Sequence, residues 1–133
     1  MINKIPTLQT IGSQYLRRLT PEFINKLLEY QKPIDLVDDV VINWDVRKGY
    51  NSKVILKGNR TLNVQFLTPG DYGTIEFVQD AVGSRAITLP SISKVSNSGG
   101  GAFTLTTTAN AIDIATFYYN GTTLYWNLST DFT

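Results

Sequence analysis

Cysteine and histidine are both missing from this 133-residue sequence. Without thiols there is no disulfide and no thiolate metal site, although the compartment stays open. Without imidazole the chain lacks the usual general base of nucleophilic triads and the commonest transition-metal ligand. Carboxylates, lysines and tyrosines are the main catalytic groups left, so a non-enzymatic protein without a cofactor is expected. Charge is sparse as well, at 17% of residues and a net +1. That balance gives no electrostatic footprint for nucleic acid or an anionic membrane. No apolar run approaches the roughly 18 residues of a membrane span. The opening MINKIPTLQT lacks an apolar core and a cleavage site, so a secretory signal is not expected. Hydrophobic residues make up 42%, which suits a globular chain, and the length fits one domain with an appendage.

The appendage comes first. Ile2, Ile5, Leu8, Ile11, Tyr15 and Leu19 recur at spacings of three and four, but Pro6 and Gly12 interrupt them. A weak helix and an extended segment that orders on a partner both remain open. A better helix follows: Thr20 can cap it, Pro21 fits the first position, Glu22 suits the positive end, and Pro33 stops it. Phe23, Ile24, Leu27 and Leu28, with Tyr30, form one apolar stripe, while Glu22, Asn25, Lys26 and Glu29 face away. A helix of about ten residues is marginal alone. Its stripe must therefore be covered by its own domain, by identical copies or by another protein, and it is the candidate oligomer interface. Residues 1–33 read as an anchor segment with an amphipathic helix, and residues 34–133 as an antiparallel β-domain.

Asp35, Asp38 and Asp39 at the joint could suggest a calcium cluster, but they lack the alternating ligands and glycine of an EF-hand loop, and a solvated acidic turn is expected. From Val40 the chain reads as eight short strands in a β-sandwich or jelly-roll-like domain. Val40, Ile42 and Trp44 alternate with Val41 and Asn43; Val54 and Leu56 lead through Gly58-Asn59 to Leu62, Val64 and Phe66; Ile87 and Leu89 are expected to pair back on Phe77 and Ile75. Residues 91–101 read as a long loop, Phe103 and Leu105 as the start of a strand. No internal repeat is visible.

Asn120-Gly121, between two runs of β-branched and aromatic residues, is the strongest hairpin signal. A three-residue bulged loop sets Thr116 opposite Leu124 and Ile114 opposite Trp126, with Ile112, Ile114, Leu124, Trp126 and Leu128 on the core face. A two-residue turn would place Asp113 on the apolar side, so the bulged turn is preferred.

The chemical constellations are thin. Glu76, Asp80 and Asp113 are the carboxylates a glycosidase could use, but they read as exposed acids. Gly99-Gly100-Gly101 lacks the lysine and helix of a phosphate loop. Lys57, Arg60 and Arg85 read as ordinary surface cations, and the three glycosylation sequons as chance matches. Tyr50, Tyr72, Tyr119 and Tyr125 are the candidate glycan or partner contacts, because turn and outward tyrosines offer rigid amphipathic area. Covering the core edge or packing between subunits is the alternative role for them.

Four segments carry a resemblance: GNRTLNVQF (58–66), PGDYGTIEFVQD (69–80), RAITLP (85–90) and DIATFYYNGTTLYWNLSTDF (113–132). Together they resemble the small β-domain of fibre and decoration proteins of tailed phages, including head-fibre proteins of crAss-like phages. The resemblance implies a homotrimeric structural virion protein. Its N-terminal segment would bind the major capsid protein or another virion protein, and its β-domain would project outward. With no coiled coil or shaft in the sequence, a short head fibre or capsid decoration protein is the expectation. A carbohydrate-binding or host-attachment module of the tail is the alternative. No sugar-contacting residue carries over from the resemblance.

Overall fold

A computed structural model describes residues 20–96 and 102–133. The expectations for residues 1–19 and for Gly99-Gly100-Gly101 lie outside them. The chain divides into two units, Met1–Tyr30 and Gln31–Thr133. The helix α1 (Pro21–Gln31) begins as its capping residues dictate. The Phe23 amide donates to Thr20 Oγ1 at 3.2 Å and the Ile24 amide to the Thr20 carbonyl at 3.1 Å.

The second unit is β throughout. Its first six strands are β1 (Ile34–Asp35), β2 (Val41–Asp45), β3 (Asn51–Leu56), β4 (Arg60–Gln65), β5 (Tyr72–Gln79) and β6 (Ile87–Thr88). The chain changes sheet at every step: β1, β3 and β5 lie in one sheet, β2, β4 and β6 in the other. All ladders among these six are parallel, with Ile34 beside Ser52, Val41 beside Thr61, Asn51 beside Thr74 and Arg60 beside Ile87. This is the winding of a parallel β-helix, in which each coil gives one strand to each sheet. Inward residues alternate with outward ones, and Asn63 donates to the side chain of Asn43 beside it at 2.9 Å on the outer face. Then β7 (Ser93–Val95), β8 (Ile112–Tyr119) and β9 (Leu124–Ser129) complete the first sheet, in the order β1-β3-β5-β8-β9-β7. Strand β8 runs antiparallel to both β5 and β9, and β7 runs parallel to β9.

The described residues are mainly β with one short helix near the N-terminus, as the sequence implies; the larger sheet is mixed and the smaller one parallel. Antiparallel pairing was expected because in–out alternation carries no information about strand direction. Gly58-Asn59 joins β3 to β4 at a corner between sheets, where the Asn59 carboxamide accepts the Ala86 amide at 2.9 Å. Ile87 accordingly pairs with Arg60 of β4 and not with the Phe77 strand. The coils differ in length, so the winding leaves no sequence repeat. Part of the expected 91–101 loop forms β7, and the described residues hold nine strands instead of eight.

Between the sheets lies a chain of rings. Trp44 of β2 meets Phe117 of β8 edge-on at 5.4 Å; Phe117 meets Trp126 of β9 at 5.2 Å. Phe103 then links Trp126, at 5.4 Å, to Phe77 of β5, at 6.1 Å. Gly73 stands opposite Phe117 in the ladder, and a Cβ there would lie 2.6 Å from the Phe117 ring and 2.8 Å from that of Trp44. The glycine is there for space.

Trp126 is buried as expected, but the hairpin register is not the expected one. Tyr119 pairs with Leu124, Phe117 with Trp126 and Ala115 with Leu128, so the loop is Asn120 to Thr123. The Asn120 side-chain oxygen accepts the amides of Thr122 and Thr123 at 2.9 and 2.8 Å, and Gly121 takes φ 106°. Relative to the expected register the strands slip by an odd number of residues, which exchanges the faces of β8. Asp113, Ala115 and Phe117 point inward, while Ile112 and Ile114 do not. The buried Asp113 carboxylate accepts the Thr106 amide at 2.6 Å, the Thr106 hydroxyl at 2.8 Å and the Asp131 amide at 2.8 Å.

Phe103 and Leu105 are core residues but form no strand. Their segment bonds to side chains: Gln79, also buried, donates to the Thr106 carbonyl at 2.9 Å, and Asp113 takes the Thr106 amide. At the corners, Arg60 and Asp38 form a two-pronged ion pair, as do Arg85 and Asp80. Hydrogen bonds from Arg60 hold Asp38 below its ordinary value. Arg85, then the Gly83 and Val82 amides, lower Asp80 from 3.8 to about 2.

Gly73→Ala should cost about 1–3 kcal/mol by overpacking, and Trp126→Ala about 3–5 kcal/mol by leaving a cavity, both read from urea denaturation. Phe117→Leu should recover part of the Gly73→Ala loss; additive losses would show that the two sites do not share this space. The depressed Asp80 value means that its stabilisation is complete above 3.8 and is lost as pH falls toward about 2. Asp80→Asn should therefore be less stable than wild type at neutral pH, and the gap should narrow across that window.

Candidate functional site

The outer face of the larger sheet is built in rows, because residues paired across a ladder share a side. Tyr72 of β5 pairs with Tyr118 of β8, Tyr118 with Tyr125 of β9, and Tyr125 with Lys94 of β7. The three rings stand side by side on adjacent strands and are 65%, 52% and 43% exposed. Tyr50 extends the row, its ring 5.6 Å from that of Tyr72 and inclined at 55°. The next row along the strands is Asn51, Thr74, Thr116 and Asn127, all short and uncharged. After it come Asp35, Lys53, Glu76, Ile114 and Ser129. Ile55, Val78 and Ile112 form an apolar row beyond them.

Of the four expected tyrosines, Tyr50, Tyr72 and Tyr125 belong to this face. Tyr119 does not: it is partly buried against the core, and its hydroxyl donates to the Gly121 carbonyl at 2.7 Å. Its place in the row is taken by Tyr118, which the expected register had put on the core side. The signal that could have found it is the run Phe117-Tyr118: of two adjacent aromatics on a half-buried strand, the one without a hydroxyl belongs inside.

The helix stripe is where the sequence puts it. Phe23, Ile24, Leu27 and Leu28 are each about half exposed, and no residue of α1 is buried. Among the acids proposed for glycoside chemistry, Glu76 faces outward, Asp80 is paired with Arg85, and Asp113 points inward to its three donors. They do not converge. Asp38 is committed to Arg60 and Asp39 to the Val40 amide, and no acidic cluster able to hold a metal occurs among the described residues. Arg60 and Arg85 stand in ion pairs and form no basic patch with Lys57.

One family profile matches, described as "Putative phage tail fibre C-terminal domain", over residues 50–124, more than half of the chain. The matched stretch runs from Tyr50 to the start of β9 and so includes Tyr72 and Tyr118. No curated protein and no solved structure matches. The phage-fibre part of the resemblance noted above is thereby supported, whereas its likeness to crAss-like head fibres has no counterpart in the match. Because the match spans more than half of its length, the chain belongs to the phage tail fibre C-terminal domain family, and it is a structural, virion-associated phage fibre protein.

Proposed function

We propose that this protein is a short homotrimeric fibre component, attached by its N-terminal segment to another virion protein and presenting its β-unit outward. The observation that carries the reading is the unburied stripe of α1. Four large apolar side chains on one face of an eleven-residue helix need a partner, and the helix is too short to persist without one. Closed cyclic symmetry lets one patch serve every subunit. Sequence physics favours some oligomer, and the fibre family favours three copies over two. Between virion locations, the tail named in the family description is favoured over the capsid shell, with the major capsid protein as the alternative anchor. The protein works by binding and uses no cofactor.

A second reading has its own observation. The tyrosine row is a ready contact surface on the outward face, which fits a host-attachment role for the same fibre.

Light scattering of the full-length protein should give three times the chain mass, and Leu27→Asp with Leu28→Asp should dissociate it. A wild-type monomer at micromolar concentration would overturn the trimer and the role of the helix; a dimer would remove only the three-fold symmetry. Cross-linking mass spectrometry of purified virions should join the N-terminal segment to a tail protein, and links to the major capsid protein would move the fibre to the head.

A further inference from the structure

We infer that the row of Tyr50, Tyr72, Tyr118 and Tyr125 is a binding strip for an extended, acidic saccharide chain. The inference rests on the host-attachment reading and specifies its ligand. Side by side on β5, β8 and β9, three rings repeat at the spacing of neighbouring strands, roughly 4.8 Å, so they form a continuous band across the sheet. Sugar rings offer C–H faces that lie on aromatic rings and hydroxyls around their edges that need hydrogen bonds. The band supplies the first, and the tyrosine hydroxyls with Thr74, Thr116 and Asn127 of the parallel row supply the second, the Asn51 amide being engaged with the Gln31 carbonyl at 2.8 Å. The separate apolar row of Ile55, Val78 and Ile112 is the better surface for a second copy.

Charge selects the saccharide. Lys94 pairs with Tyr125 and closes the row, and no carboxylate lies in the tyrosine row or in the row beside it. The outward acids Asp35 and Glu76 lie two rows away, on either side of Lys53. An anionic group on the chain, such as a uronic acid carboxylate, therefore meets a cation at the Tyr125 end and no opposing charge along the band.

The full-length protein would be applied to a microarray of bacterial capsular and O-antigen polysaccharides, with cells of the array's source strains as a second surface. Retention on uronic acid-containing polysaccharides is expected, and Tyr118→Ala and Tyr125→Ala should each lower affinity about tenfold or more. Lys94→Gln should weaken binding to acidic chains and leave neutral ones unchanged. These side chains are outward, and circular dichroism of each variant checks that the fold is retained. Binding to cells without retention on any polysaccharide would overturn the saccharide and leave host attachment standing. Failure on both surfaces would remove both. Polysaccharide binding untouched by Tyr118→Ala would place the site elsewhere. A change in oligomeric state in the tyrosine variants, without glycan binding, would make this face a subunit interface.

Discussion

Phe117 can sit between Trp44 and Trp126 because residue 73, across the ladder, has no side chain. That vacancy joins parts of the β-unit made at different times in the chain. Trp44 belongs to the first full coil and the smaller sheet, Phe117 and Trp126 to the closing hairpin of the larger one. Both indoles are fixed at their polar ends: Trp44 donates to the Gly49 carbonyl and Trp126 to the Ser93 hydroxyl, each at 3.0 Å. The second bond also helps to tie down β7, a three-residue strand at the sheet edge, beside its parallel ladder to β9. Rings packed edge-on or tilted against one another tolerate few alternative arrangements, so they fix how the hairpin closes on the wound strands.

The same contact determines the outer surface. Inside, Gly73, Phe117 and Trp126 stand in one row; outside, one residue away on each strand, stand Tyr72, Tyr118 and Tyr125. A slip of one residue would drive the tyrosines into the core and expose the core aromatics. The two rows are therefore one specification, and the interior row carries the energy for it. Burying Phe117 and Trp126 is worth several kcal/mol, whereas the exposed tyrosines contribute little to stability and are free to serve a surface role. The platform is stiff enough to hold them: its inner polar groups, Asp113 and Gln79, each satisfy several donors or acceptors and pin the irregular 103–107 backbone against the sheet.

Much of this was legible in the sequence, and the failures share a cause. The helix, its cap and its stripe follow from local rules, and so do the inward positions of β2 to β5. Strand direction does not, because alternation looks the same whichever way the neighbour runs; Gly58-Asn59 serves a corner between sheets as well as a hairpin. Asp113 misled the register by its chemistry. A carboxylate reads as a surface residue until three donors, from Thr106 and Asp131, are brought to it by tertiary structure. Reading it as outward put Phe117 outside and Tyr118 inside, and so cost the candidate site one of its central residues. Tyr119 was chosen for its place beside the turn, which the Asn120 side chain lengthens beyond what Asn-Gly alone would require.

Two of the exposed surfaces lie in different units, the apolar stripe on α1 and the tyrosine row on the larger sheet. Their chemistry divides the work between them. A leucine-rich stripe gains from complete removal from water, the condition met inside an assembly. Tyrosines beside threonines and asparagines gain from partial burial with hydroxyl-bearing partners, the condition met at a wet, reversible contact. One such strip is a weak site, since stacking on exposed rings competes with water at every hydroxyl. Three strips on a trimer would share one tether, so the second and third contacts would form at the effective concentration set by the fibre instead of that of the solution. Weak, repeated and geometrically matched contacts would suit the proposed host-attachment role, and the stripe on α1 is what would make the repetition possible.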